Sequence, residues 1–225
     1  MLSTDSFSLI IVLVGLSLLP FVAMVATSYL KIVVVMSLIR NALGIQSIPP
    51  NMVLNALALI LTLYVMAPIF GKSWDVISEE CKGNQPEKVI FNAETAERAS
   101  EPFRSFLLQE TGEREIAYFT KTAEKLWATK DEATGEMTPA VVDQHSFFIL
   151  VPAFCVSELT KSFQIGFLVY LPFIAIDIIV SNILLAMGMM MVSPVTISLP
   201  FKLLLFVMVN GWTLLIQGLV QSYMH

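Results

Sequence analysis

Four apolar runs, near residues 7–30, 52–70, 163–192 and 197–220, are each long enough to cross a bilayer. The hydrocarbon layer is roughly 30 Å thick, which takes about 20 residues of helix. Lipid offers no partner to backbone N–H and C=O groups, so runs of this kind are expected to be helical despite their Ile and Val content. Pro20, Pro68, Pro172 and Pro200 each remove a backbone donor and are expected to kink or start these helices. Only 14% of the 225 residues are charged, against about a quarter in a soluble domain. The charges are also segregated. Before Gly71 there are only Asp5, Lys31 and Arg40, and after His145 only Glu158, Lys161, Asp177 and Lys202. The chain reads as an all-α membrane protein. Two hydrophobic helical hairpins, 1–70 and 146–225, flank a polar helical insert, 71–145.

Orientation follows from the charge asymmetry. Lys31 and Arg40 make the connection after the first run basic, whereas 71–145 is acidic, so the positive-inside rule places 31–50 in the cytoplasm and the insert outside with both termini. Nothing basic precedes the first run, and Ala23 and Ala26 lack A-x-A spacing, so a cleaved signal peptide is not expected. Within the insert, Asn92 can cap one helix and Ser100-Glu101-Pro102 can start another, with Phe103, Phe106 and Leu107 on one face. Ile116, Phe119, Ala123, Leu126 and Trp127 recur at helical spacing and predict an amphipathic partner helix. Residues 130–139 read as an exposed loop. About 75 residues bury only a marginal core, so the insert is expected to dock on other elements; the alternative is a solvated charged loop.

Met187-Gly188-Met189-Met190-Met191 places four of the twelve methionines on five adjacent positions. Such a cluster alone more often marks ordinary packing or lipid contact. Its soft, unbranched side chains could also form a ring, supplied by several subunits, that closes around whatever passes. Gly188 would permit close backbone approach there. Asp177 lies inside an apolar run, where an ionised acid costs about 2.5–3.5 kcal/mol, so it should face protein or water. Lys202 is its nearest basic candidate. A turn centred near Val195 would put Asp177 about 27 Å of helix before the turn and Lys202 only seven residues after it, which argues against a pair within one hairpin. An antiparallel neighbour would instead bring Asn210, Thr213 or Gln217 near the level of Asp177, and a direct pair with Lys202 would need a staggered neighbouring copy. Snorkelling beside Pro200 is the alternative for Lys202. Glu158 and Lys161, three residues apart, can neutralise each other on one helix face. Cys81 and Cys155 lack metal-ligand spacing, and His145 and His225 stand alone. No metalloprotease, nucleophile-elbow or phosphate-loop motif is present. The chain is not expected to be an enzyme or to use a cofactor, metal or nucleic acid.

Two sets of residues carry a family resemblance. Arg40-Asn41-Ala42-Leu43-Gly44-Ile45-Gln46 with Pro49-Pro50-Asn51, Val151-Pro152-Ala153-Phe154 with Ser157-Glu158-Leu159, and Phe163-Gln164-Ile165-Gly166-Phe167 form the first. Ala186-Met187-Gly188-Met189-Met190-Met191 with Ser193-Pro194 and Ser198-Leu199-Pro200-Phe201-Lys202-Leu203 form the second. Together they resemble the FliP/SctR family. The resemblance implies an inner-membrane component of the type III secretion export apparatus, shared by injectisomes and flagella. It implies a pentamer within a helical multi-subunit pore, completed by SctS/FliQ-like and SctT/FliR-like subunits and working with SctU/FlhB-like and SctV/FlhA-like proteins. It further implies that the assembly sits largely on the periplasmic side of the bacterial inner membrane, and that unfolded substrates pass a constriction formed by Met187, Met189, Met190 and Met191. Flagellar members usually carry a signal peptide, so the injectisome branch, SctR, is favoured. Two other functions stay open: an ion-coupled small-solute transporter using Asp177, and a structural nucleus for assembly.

Overall fold

The computed structural model describes residues 13–15, 17–18, 20–45, 48–83, 93–130, 137–138 and 140–224. In chain order the elements are α1 (Leu13–Val25), α2 (Tyr29–Ala42), α3 (Asn51–Gly83), α4 (Ala93–Glu110), α5 (Glu113–Leu126), β1 (Thr129–Lys130), β2 (Met137–Thr138), α6 (Phe147–Ala186), α7 (Pro194–Met208) and α8 (Gly211–Gln221). Among the described residues the regular structure is therefore helical apart from a two-rung antiparallel ribbon, in which Thr129 faces Thr138. Most of the exposed loop expected at 130–139 lies outside the described residues. The start of the first apolar run, the cap at Asn92 and the residue His225 lie outside the described residues.

Among the described residues two helices, α3 over Asn51–Cys81 and α6 over Phe147–Ala186, are long and apolar enough to span a membrane, and up to four spans result if each broken pair counts as one. With 33 and 40 residues, these helices run to about 50 and 60 Å, well beyond the hydrocarbon thickness. Two expected spans are interrupted. The first apolar run breaks at 26–28, so Lys31 lies in the first turns of a separate helix and not in a basic connection. The last run breaks between α7 and α8 with a bend of 60°. Asn210 takes the left-handed conformation there (φ 52°), which Asn tolerates better than most residues.

The chain divides into two compact units, 1–30 with 66–158 and 31–65 with 159–225. In the first unit, Leu107, Leu150, Ala153 and Phe154 are fully buried, and the Phe106 and Phe154 rings stand 5.7 Å apart. Ser157 on α6 accepts from Gly112 N–H and donates to the Glu110 carbonyl, each at 3.3 Å, which ties down the α4–α5 turn. Phe106 and Leu107 are buried on one face, as the spacing requires. Pro102 lies inside a continuous α4 and starts no new helix. On α5, Ala123 is buried, whereas Leu126 and Trp127 are exposed because the helix ends there. Before α6, the exposed Asp143 carboxylate accepts the His145 N–H at 2.9 Å, which holds its pKa below the usual carboxylate value. His145 Nδ1 lies 3.4 Å from the same oxygen, so this histidine does not stand alone.

In the second unit, Ile32, Val35, Met36, Ile39 and Ala42 form the buried stripe of α2. Gly166 of α6 faces Leu38, where any Cβ would overlap the leucine side chain. Both α2 and α6 end on the same device. Gly44 and Gly188 have φ of +77° and +72°. At α6, Gly188 N–H bonds to Leu185 O at 3.0 Å and Met189 N–H to Leu184 O at 2.9 Å, a Schellman cap. The α2 cap repeats it, with Gly44 to Asn41 and Ile45 to Arg40. A Cβ on Gly188 would meet nothing within 4 Å in its own chain, so within the chain its role is backbone conformation. Gly188→Ala should therefore cost about 1 kcal/mol and Gly188→Asn less. Thermal unfolding in detergent measures this, and equal melting of the Ala variant and wild type would refute it.

Candidate functional site

The Gly188 cap stops α6 at Ala186, six residues before the end of the apolar run, and Pro194 at the first position of α7 restarts the chain. The seven residues between them carry all four candidate methionines. Met187, Met189, Met190 and Met191 are 67, 42, 82 and 101% exposed, so their own chain does not pack them. Between the helices on either side of the loop lies an apolar groove of about 380 Å³, which Ile176, Ile179 and Ile183 of α6 line with Ile197 and Phe201 of α7.

The early stop of α6 also resets the depth of the charged residues. Asp177 lies nine residues before Ala186 and Lys202 eight after Pro194, or about 13 and 12 Å up their helices. They meet. Lys202 Nζ donates to Asp177 Oδ2 at 2.6 Å and to the Ala42 carbonyl at 3.3 Å, while Ser198 Oγ donates to Asp177 Oδ1 at 2.6 Å. The expected mismatch within one hairpin is thus corrected, because the helix does not continue to Val192. Snorkelling is corrected as well, since Lys202 is only 3% exposed. Ala42 is the last residue of α2, where carbonyls lack intrahelical partners and the helix dipole is negative, so a cation there is doubly favoured. Three helices converge on one ammonium. Asp177 is bonded by Ser198 and Lys202, and not by the Asn210, Thr213 or Gln217 that the expected register would bring to its level.

Glu158 and Lys161 both lie on α6, the first fully buried and the second half-buried. Glu158 is inside the long helix. Ser198 and the Ala42 carbonyl were invisible to sequence reasoning, because neither a lone hydroxyl nor a backbone oxygen has a pattern. A second buried cation was also missed. Lys31, 1% exposed, places Nζ 3.6 Å from the centre of the Tyr223 ring and 3.4 Å from Ser222 Oγ. At the far end of α2, Arg40 bonds to Asn51 Oδ1 and reaches the Pro49 carbonyl at 3.4 Å, closing the α2–α3 connection. Cys81 and Cys155 are free thiols.

Removing one partner of the ion pair strands the other. Asp177→Leu should destabilise toward the lower end of roughly 3–5 kcal/mol, because Asp177 is one-third exposed. Asp177→Asn, which still accepts from Ser198 and Lys202, should cost less. Pairing Asp177→Leu with Lys202→Met should recover much of the loss. A double-mutant cycle on detergent stability and complex yield checks this, and simple additivity would contradict a direct pair.

The model of the FliP family matches residues 12–219. The Yop proteins translocation protein R of Yersinia pestis is 51% identical over 223 residues, covering 97% of each chain. The virulence protein YscR of Salmonella typhimurium is 45% identical, covering 99% of each. The flagellar biosynthetic protein FliP of Pectobacterium carotovorum is 43% identical over 98% of this chain but only 80% of its own length. By full-length match and by identity, the chain belongs to the FliP family, on its injectisome (SctR) branch.

Proposed function

We propose that this chain is a pore-forming subunit of the type III secretion export gate, conducting unfolded proteins across the bacterial inner membrane. Its relatives named for translocation, virulence and flagellar biosynthesis support a place in the export apparatus. The observation that carries the pore reading is the methionine loop. Four apolar thioethers are held on a defined backbone turn and left uncovered by their own chain, in the one place where α6 is made to stop. A ring of them from several copies excludes ions by dewetting and yields to side chains of varied shape.

In this reading the chain works as a homo-oligomer, a pentamer by family resemblance, with SctS/FliQ-like, SctT/FliR-like, SctU/FlhB-like and SctV/FlhA-like partners. The hairpins 1–70 and 146–225 build the channel wall, and 71–145 docks on the periplasmic side. Large apolar side chains such as Tyr64, Phe167 and Leu168, all more than 60% exposed, give subunits or lipid something to cover. Asp177, Lys202, Glu158 and Lys161 serve assembly. A transporter role for Asp177 is disfavoured, because both its oxygens are engaged by Lys202 and Ser198.

Alanine at Met189, Met190 and Met191 should widen the constriction and raise resting ion leak, whereas Leu or Ile should keep the seal and lower secretion. Unchanged conductance of the triple Ala variant in an assembled complex would return these residues to ordinary packing. For orientation, a cysteine at Lys130 should react with an impermeant maleimide from the periplasmic side. Labelling from the cytoplasm alone would overturn the topology.

A further inference from the structure

A thioether takes up one oxygen atom from a peroxide without a catalyst, and the loop after α6 presents four of them. Met190 and Met191 are 82 and 101% exposed, whereas Met36 and Met66 are fully buried in the same chain. Met24, Met52, Met208 and Met224 are also exposed, but each stands apart from other methionines in the sequence. The loop alone concentrates the chemistry, and several copies would multiply it.

We propose that Met187, Met189, Met190 and Met191 form an oxidation-sensitive site, whose conversion to methionine sulfoxide by hydrogen peroxide wets the constriction and opens it to ions. This rests on the pore-lining reading above and adds a modification to it. The sulfur lone pair attacks one peroxide oxygen, and the S–O bond forms as the O–O bond breaks. Sulfur is oxidised by two electrons and the peroxide is reduced; the departing hydroxide takes the proton of the transferred hydroxyl and leaves as water. The product is polar, chiral and a good hydrogen-bond acceptor. A ring that excludes ions by dewetting loses that property when each side chain holds water. The fold need not change, because the loop backbone is set by the Gly188 cap and by Pro194, not by packing of the four side chains. Methionine sulfoxide reductases reverse the modification.

The test uses the full chain in its extracted complex, reconstituted in a planar bilayer and treated with hydrogen peroxide. Peptide mass mapping should find one added oxygen at Met190 and Met191 before Met36 or Met66. Resting conductance should rise several-fold, fall again on adding the two sulfoxide reductases with reductant, and stay flat in a variant with Leu at all four positions. Loop methionines no more oxidised than Met36, or oxidised without a change in conductance, would overturn the proposal. The triple Ala variant separates the two readings. If it leaks while oxidised wild type does not, the oxidation proposal fails and the pore reading stands; if it does not leak, the pore reading fails and takes the conductance effect with it.

Discussion

An ammonium group inside an apolar bundle must find acceptors, and Lys202 finds them on two other helices: the Asp177 carboxylate of α6 and the terminal Ala42 carbonyl of α2. Burying the pair costs desolvation of both ions, and that cost is offset only where geometry is tight and the remaining lone pairs are used. Ser198 supplies the extra donor. The contact therefore acts less as a source of net stability than as a register mark, fixing how far α7 slides along α6 and where both meet the end of α2. The depth at which the methionine loop emerges follows from that register.

The register depends in turn on one backbone conformation. Gly188 adopts a positive φ that lets the chain fold back over the last carbonyls of α6, so the apolar run stops being helix while it is still apolar in composition. The methionines are consequently displayed and not wound into a helix face. Much of the remaining apolar surface is likewise uncovered: Phe163 of α6 and Met208 of α7 are 58 and 73% exposed. A single copy cannot hide this surface from water. Lipid or other subunits must, and in α3 and α6, both longer than a bilayer is thick, the two kinds of cover can alternate along one helix.

The helical class, the two apolar parts and the polar insert were legible because hydropathy and periodicity depend on composition over many residues. The family was legible because its motifs are long. The register was not. Gly188 sits in a run that is apolar on both sides, and reading through it added six residues to α6 and moved Asp177 away from Lys202. A glycine near the end of a helical pattern is itself a cap signal, and here it was outweighed by the length of the run. Lys31 was misread for the opposite reason: a lone lysine at the end of an apolar stretch looks like a loop charge, whereas it is buried against the Tyr223 ring near the other terminus. Contacts 191 residues apart leave no local pattern.

The central claim is that exported chains pass the methionine loop, and cross-linking in transit tests it most directly. A photoreactive residue at position 190 would be compared with one at position 64, an exposed side chain on α3, while a secreted protein is stalled by a folded tag. Adducts with the stalled substrate from position 190 and none from position 64 are the expected result; adducts from neither, or from position 64 alone, would contradict it.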